Sequence, residues 1–228
     1  WRTRAFGTYG FISGAGQFLA GAVEKAEKDL ENFGYVFEEA VLFVTDMGLG
    51  TCWLGGTFNR GSFARAIHLR DNEILPAVSP IGYKRPRRGV LDSTMYRSAG
   101  SANRKPWVDL FFKKDFNTPI GEVDAGRYSV PLEMVRLAPS SINNQPWRVV
   151  KAEGADEFHF YLQRPGVSNK IAEVFVPVDL LRIDMGIAMC HFELTAWEVG
   201  LKGEWKILKP DTDSLPEGME YTASWVCA

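Results

Sequence analysis

A chain of 228 residues is long enough for one large domain or for two small ones that share a core, and 46% hydrophobic with 24% charged residues is ordinary for a globular protein. The net charge of −2 gives no global reason to expect nucleic acid or a membrane surface as partner, and no apolar run approaches the roughly 18 residues of a membrane-spanning helix. Cys52, Cys190 and Cys227 are odd in number and form no CxxC pair, which argues against a disulfide framework or a structural zinc site and for a reducing, cytoplasmic setting.

Arg2 and Arg4 ahead of the mildly apolar stretch Phe11–Val23 loosely imitate a secretory leader, but Gly14, Gly16 and Gly21 break that stretch. The chain starts at Trp1, without methionine, and reads as a fragment or as a chain whose first segment lies outside this sequence. After the charged run Glu24–Glu31, Phe33–Met47 reads as a buried helix with apolar Phe33, Val36, Phe37, Ala40, Val41, Phe43 and Val44, stopped by Gly48. A short turn and strand over Leu49–Leu54, a short helix over Ser62–Ile67 and an apolar strand within Leu75–Gly82 follow. That strand runs into the basic cluster Lys84, Arg85, Arg87 and Arg88. Polar Arg87–Asn103 reads as a loop between two halves, 1–103 and 104–228. Pro106–Phe112 is expected as a short helix and Pro131–Leu137 as the start of another. Trp147–Ala152 and Glu157–Gln163 alternate like paired strands, and Asp184–Val199 reads as a second long helix ended by Gly200.

The two long helices share a register. Gly34, Gly48, Leu49 and Trp53 each lie 152 positions before Gly186, Gly200, Leu201 and Trp205. Each segment reads as an apolar helix, then Gly-Leu, then a tryptophan-bearing strand, so the expectation is an internal duplication of two related α+β halves.

The sharpest local signal is Leu137-Ala-Pro-Ser-Ser-Ile-Asn-Asn-Gln-Pro-Trp147. Pro139 discourages continuation of the preceding helix, and Pro146 enforces an extended exit. Between them, two hydroxyls and three amides crowd together with freed backbone N–H groups, a set suited to a phosphate, a polyol or a pyrimidine-dione edge. A self-capped turn uses the same residues, and chemistry alone leaves the two readings open. His68, His159 and His191 have no metal-ligand spacing; His191 reads as a core histidine and Cys52 as a small buried residue. Trp107, Trp147, Trp197 and Trp205 read as core, with Trp147 able to line a site.

Ala138-Pro-Ser-Ser-x-Asn-x-Gln-Pro-Trp147 resembles the loop of FMN-dependent nitroreductase-family proteins that reaches the ribityl and phosphate part of the cofactor across a dimer interface. Gly48-Leu-Gly-Thr-Cys-Trp-Leu-Gly-Gly56 resembles the family's helix-to-strand segment beside the flavin ring, and Ile81-Gly-Tyr-Lys-Arg-Pro-Arg-Arg88 its final phosphate-binding segment. The motif order differs from ordinary members, because the loop comes last here. A single-chain, duplicated pseudo-dimer of the TM nitroreductase type accounts for that order. The loss of Gly-Gly after Gly200-Leu201 implies one flavin site, not two.

The resemblance implies an α+β nitroreductase-like fold with a mostly antiparallel sheet flanked by helices. It implies FMN held by Ser140, Ser141, Asn143 and Gln145, by Leu54, Gly55 and Gly56 along the ring, and by Lys84, Arg85 and Arg87 at the phosphate. NADH or NADPH would be the donor, and a nitroaromatic, quinone or similar small molecule the acceptor, in a ping-pong reaction by a monomer (pseudo-dimer) or weak homodimer. No side chain is singled out as acid or base. The family's Arg-rich opening segment does not precede Tyr9. Its absence motivates the alternative of a non-catalytic flavin-binding protein or a degenerate structural homologue. Reductive dehalogenation or flavin breakdown on the same fold is a further alternative.

Overall fold

The structure is a computed structural model that describes residues 15–83, 102–165, 177–208, 210 and 215–228. In chain order the described elements are β1 (Gln17–Ala20), β2 (Val23–Glu24), α1 (Asp29–Asp46), β3 (Gly50–Thr51), α2 (Arg60–Ala66), β4 (Glu73–Ile74) and β5 (Val78–Gly82). They continue with β6 (Phe111–Lys113), α3 (Ser129–Leu137), β7 (Trp147–Lys151), β8 (Glu157–Gln163), α4 (Leu180–Glu198), β9 (Gly203–Lys206) and β10 (Met219–Cys227).

The fold is α+β, with its strands in separate sheets. The earlier strands form β1-β5-β3 and β2-β4, all antiparallel. The later strands form β6-β7-β8-β10-β9, antiparallel except for β6 beside β7. The expectation of one mostly antiparallel sheet is corrected here, because α1 packs on β2 and β3 while α4 packs on β7 and β8. The helix pair thus stands between the two sets of strands and keeps their edges apart.

Period-two alternation explains the five-stranded sheet. Phe158, Phe160 and Leu162 of β8 enter the main core, whereas Tyr161 turns to the other face with Val150 and Met219. On the helix side, Phe192 of α4 meets Phe160, Trp205 and Trp225 at ring-centroid distances of 5.4, 6.0 and 5.7 Å. α4 is buried on almost every side, which accounts for its apolar sequence.

The α1–α4 contact is the tightest in the molecule. A Cβ on Gly34 would overlap the Ile183 carbonyl oxygen, and one on Gly186 would overlap the Glu31 carbonyl oxygen. Moving Gly34 and Ile183 by 152 positions in opposite directions gives Gly186 and Glu31, so the two contacts are exchanged by the sequence repeat. The helix ends repeat as well. Leu49 N–H bonds Val44 O at 3.3 Å and Leu201 N–H bonds Ala196 O at 2.8 Å, beside Gly48 and Gly200, each at φ 79°. Both are glycine caps that satisfy the last helical carbonyls. Arg182 ties the helices at one end, 2.9 Å from Asp29 and 2.6 Å from Glu31.

Two carboxylates are buried at this interface, and each grips both sides. Glu38 accepts from Trp53 Nε1 at 2.8 Å and lies 2.9 Å from His191 Nε2. Glu193 accepts from Trp205 Nε1 at 3.0 Å and from the Tyr35 hydroxyl, and burial raises its pKa. His191 is thereby a partnered histidine of the helix interface.

Several expectations are corrected. α1 begins at Asp29 and α4 at Leu180, each about a turn before the predicted start. Val36 and Phe43 are exposed, because the apolar stripe that α1 buries is Leu30, Phe33, Gly34, Phe37, Val41 and Val44, beside the buried acids Asp29, Glu31 and Glu38. Trp197 and Cys52 are exposed as well. Pro106–Phe112 is a 3-10 turn (Trp107–Asp109) leading into β6, since Phe111 and Phe112 pair with β7. β10, between β8 and β9, has no counterpart in the sequence reading. Among the described residues, no helix is long and apolar enough to cross a membrane.

Gly34→Ala and Gly186→Ala should each lower the unfolding free energy by about 3 kcal/mol, because the added carbon meets backbone that cannot rotate away. Gly61→Ala, on the open surface of α2, should be neutral or stabilise by up to about 1 kcal/mol. Urea denaturation of the three variants measures the contrast.

Candidate functional site

The Ala138–Trp147 loop is held in an unusual conformation. Ile142, Asn143 and Gln145 all have left-handed φ, at 45°, 56° and 48°. Asparagine tolerates this region; β-branched isoleucine does so at a cost of about 1–3 kcal/mol. Local bonds hold the loop in place: Asn143 N–H to Ser140 O at 3.0 Å, Asn144 N–H to Ser141 O at 3.0 Å, and Gln145 N–H to Ser140 Oγ at 2.9 Å.

The loop residues divide by role. Gln145 is buried; its Oε1 accepts from Lys105 N–H at 2.7 Å and its Nε2 donates to Asn143 O at 3.1 Å, so most of its capacity is spent on the loop. Asn143 donates to Asn103 O at 2.9 Å and accepts from Arg104 at 3.1 Å. Ser141 N–H donates to Asp184 Oδ1 at 2.9 Å, while the Ser141 hydroxyl makes no hydrogen bond among the described residues. Trp147 is fully buried core and leaves the site to its neighbours.

Three cations converge here that the sequence reading did not single out. Lys105 Nζ and Arg148 both donate to Gln145 O at 3.2 Å, Arg148 also donates to Trp147 O at 2.6 Å, and Arg104 reaches Leu137 O at 3.0 Å. Neither Lys105 nor Arg148 has a carboxylate within ion-pair distance among the described residues. Burial, reinforced by the Arg148 charge, pushes Lys105 down to about 8, and burial lowers Arg148 too. Two half-buried cations gathered on one carbonyl, with the Asp109 charge nearby but no carboxylate at ion-pair distance among the described residues, make a receptive place for an anion. Their signal in the sequence was the basic pair Arg104-Lys105 directly before Pro106.

The Gly48–Gly56 segment approaches from the other side. Leu54 is buried and exchanges two backbone bonds with Val78, at 2.9 and 3.1 Å, so its N–H is committed to the fold. The N–H groups of Gly55 and Gly56 have no partner among the described residues, and Gly56 is exposed. A Cβ on Gly55 would lie 2.6 Å from Leu180 Cδ2, so the segment packs closely on the side chain of Leu180 at the start of α4. Arg60 fixes the segment from behind, donating to Gly55 O at 2.9 Å, Leu75 O at 2.9 Å and Pro76 O at 2.8 Å.

The start of α4 joins the two segments. Leu180 touches Gly55 and Asp184 holds Ser141, and residues four apart share one face of a helix. The structure thus brings Ser140, Ser141, Asn143 and Gln145 to one side of this turn, and Leu54, Gly55 and Gly56 to the other. Asp184 is buried, its Oδ2 has no hydrogen-bond partner among the described residues, and burial raises its pKa well above the carboxylate range. Lys84, Arg85, Arg87 and Arg88 lie outside the described residues; the strand leading to them, β5, pairs Gly82 with Gly50.

No curated protein sequence matches the chain. A crystal structure of "a putative nitroreductase" from Thermotoga maritima MSB8 is similar to it with a TM-score of 0.52 at 24% identity, covering 92% of this chain and 70% of that one, which shows a shared fold. Residues 3–196 match the family described as "Putative TM nitroreductase". With most of its length inside that match, the chain belongs to the TM nitroreductase family and has its α+β nitroreductase-like fold.

Proposed function

We propose that this chain binds one FMN along the first turns of α4 and acts as an NAD(P)H oxidoreductase toward a small acceptor such as a nitroaromatic or a quinone. The meeting of the polar loop and the glycine segment at the start of α4 carries the reading. Lys105 and Arg148 gather at Gln145, Ser141 meets Asp184, and Gly55 rests on Leu180. Together these groups suit a ligand that carries an anion, hydroxyls and a flat ring. When bound, the flavin supplies the hydride and electron chemistry.

The residues present fit such a group. Lys105 and Arg148 offer donors to a phosphate, Asp184 Oδ2 is a buried polar atom without a partner among the described residues, and the part-exposed Ser141 hydroxyl makes no bond within them. Gly55 and Gly56 offer N–H groups at an edge with no side chain to block approach, where they can stabilise negative charge on a ring. Arg60 keeps that edge rigid and adds positive charge behind it. Lys84, Arg85 and Arg87 are a competing phosphate clamp.

We further infer a pseudo-dimer of halves 1–103 and 104–228. The repeated glycine caps and the exchanged contacts at Gly34 and Gly186 support it. In the second half, the positions 152 residues after Gly55 and Gly56 are Ile207 and Leu208, just beyond β9, so side chains stand where the first half has its glycine edge. That asymmetry supports a single site.

Lys105→Met combined with Arg148→Met should weaken FMN at least tenfold and riboflavin little, since only FMN carries the phosphate. Lys84→Glu with Arg85→Glu, measured by the same titrations, decides between the two basic sets: whichever pair discriminates FMN from riboflavin is the phosphate end. The FMN advantage should also decline as pH rises past about 8, because Lys105 carries its charge below that value and sheds it above, and Lys105→Met should flatten the profile. Steady-state oxidation of NADH and NADPH with a nitroaromatic acceptor tests turnover; FMN binding without oxidation of either would make the protein a carrier.

A further inference from the structure

We propose that Asp184 is a cofactor-contact residue whose free oxygen, Oδ2, pairs with a hydroxyl of the polyol chain of the bound flavin; the proposal rests on the FMN reading above. The geometry begins with the carboxyl itself. Asp184 is 2% exposed, its Oδ1 is taken by Ser141 N–H at 2.9 Å, and its Oδ2 is buried without a hydrogen-bond partner among the described residues. A buried polar atom left unpaired destabilises the fold, so such an atom at a candidate site is best explained by a partner that arrives with the ligand.

Its place in the site says which part of the ligand meets it. On one side, Lys105 and Arg148 converge on Gln145 O, four residues beyond Ser141. On the other, Leu180 lies one helical turn before Asp184 and packs on Gly55. Asp184 thus holds the Ser140–Gln145 loop that carries the cations and lies one helical turn from the residue that packs on Gly55, and we assign it to the hydroxyl-bearing part of the ligand. A hydroxyl also suits the group chemically. It both donates and accepts, so it satisfies Oδ2 whether the carboxyl is ionised or protonated, which a purely accepting or purely donating ring atom would not.

Two independent features strengthen the assignment. The part-exposed Ser141 hydroxyl, on the residue whose backbone Asp184 holds, makes no hydrogen bond among the described residues and can reach the same ligand. The left-handed conformations of Ile142, Asn143 and Gln145 are maintained directly beside it, and strain of this kind persists where the surroundings hold a ligand-contacting loop in shape. Asp184 thus has two tasks on one carboxyl: one oxygen sets the loop and the other meets the ligand.

The test is a set of flavin titrations of the full chain, read as dissociation constants. FMN has phosphate, polyol and ring; riboflavin has polyol and ring; lumiflavin has the ring alone. Asp184→Ala should weaken FMN and riboflavin by the same factor, about tenfold, and leave lumiflavin within about twofold. Asp184→Asn, which keeps an acceptor for Ser141 N–H and presents a donor in place of Oδ2, should restore most of the affinity. If Asp184→Ala does not fold, infrared difference spectra of the wild-type chain carry the test: the carboxyl band that Asp184→Asn removes should shift on adding riboflavin and stay in place on adding lumiflavin. Equal losses for all three flavins, no loss for any, or an unmoved carboxyl band would overturn the assignment while leaving FMN binding intact. A wild-type chain that binds none of the three flavins would instead overturn the FMN reading, and the assignment with it.

Discussion

The rest of the structure depends on the place where α1 and α4 touch backbone to backbone. Gly34 lies against the Ile183 carbonyl and Gly186 against the Glu31 carbonyl, and no other residue fits either position. Glycine in the middle of a helix costs about 1 kcal/mol relative to alanine, and here it is used twice. The return is an approach close enough to bury Glu38 and Glu193 with their indole, imidazole and phenol partners, so that each helix is fixed against the other by directional bonds as well as by packing. With the helix pair set, the sheets have one place to go. The small sheets cover α1, and the five-stranded sheet covers α4 with its aromatic face.

The same helix that is the core at its centre is the candidate site at its beginning. α4 starts with Leu180 against Gly55 and Asp184 under Ser141, so the rigidity of the crossing is passed to both ligand-facing segments within two turns. Around the loop held by this start the protein keeps what a stable core removes: half-buried cations at Lys105 and Arg148, a carboxyl oxygen on Asp184 unpaired among the described residues, and a left-handed isoleucine. Each is unfavourable alone. Their gathering on and around the Ala138–Trp147 loop is the physical argument that a polar, anionic ligand belongs there.

Much of this was legible in the sequence, for identifiable reasons. The glycine stops at Gly48 and Gly200 mark helix ends because only a residue tolerant of φ 79° can turn the chain there, and they recur at a spacing of 152 residues. The crowding between Pro139 and Pro146 marks a polar turn held by its own side chains, and the family resemblance rests on its residues. The cationic cluster was not legible, because Arg104 and Lys105 reach the loop through a turn whose path only the fold sets, and Arg148 lies on a strand that otherwise reads as core. Asp184 was read as the first residue of a helix; its burial depends on a loop more than forty residues away in the chain. Val36, Phe43 and Trp197 misled in the other direction, since composition alone does not say which side of a helix faces its neighbour.

The central claim is that the meeting of the polar loop and the glycine segment at the start of α4 is a flavin site that exchanges electrons with a nicotinamide. The most direct measurement is the visible absorption spectrum of the purified chain equilibrated with FMN and freed of excess, taken before and after NADH or NADPH is added without oxygen. The account predicts flavin bands that stay with the protein and bleach on addition of one of the donors. A protein that retains no flavin, or whose flavin bands persist with both donors, would contradict it.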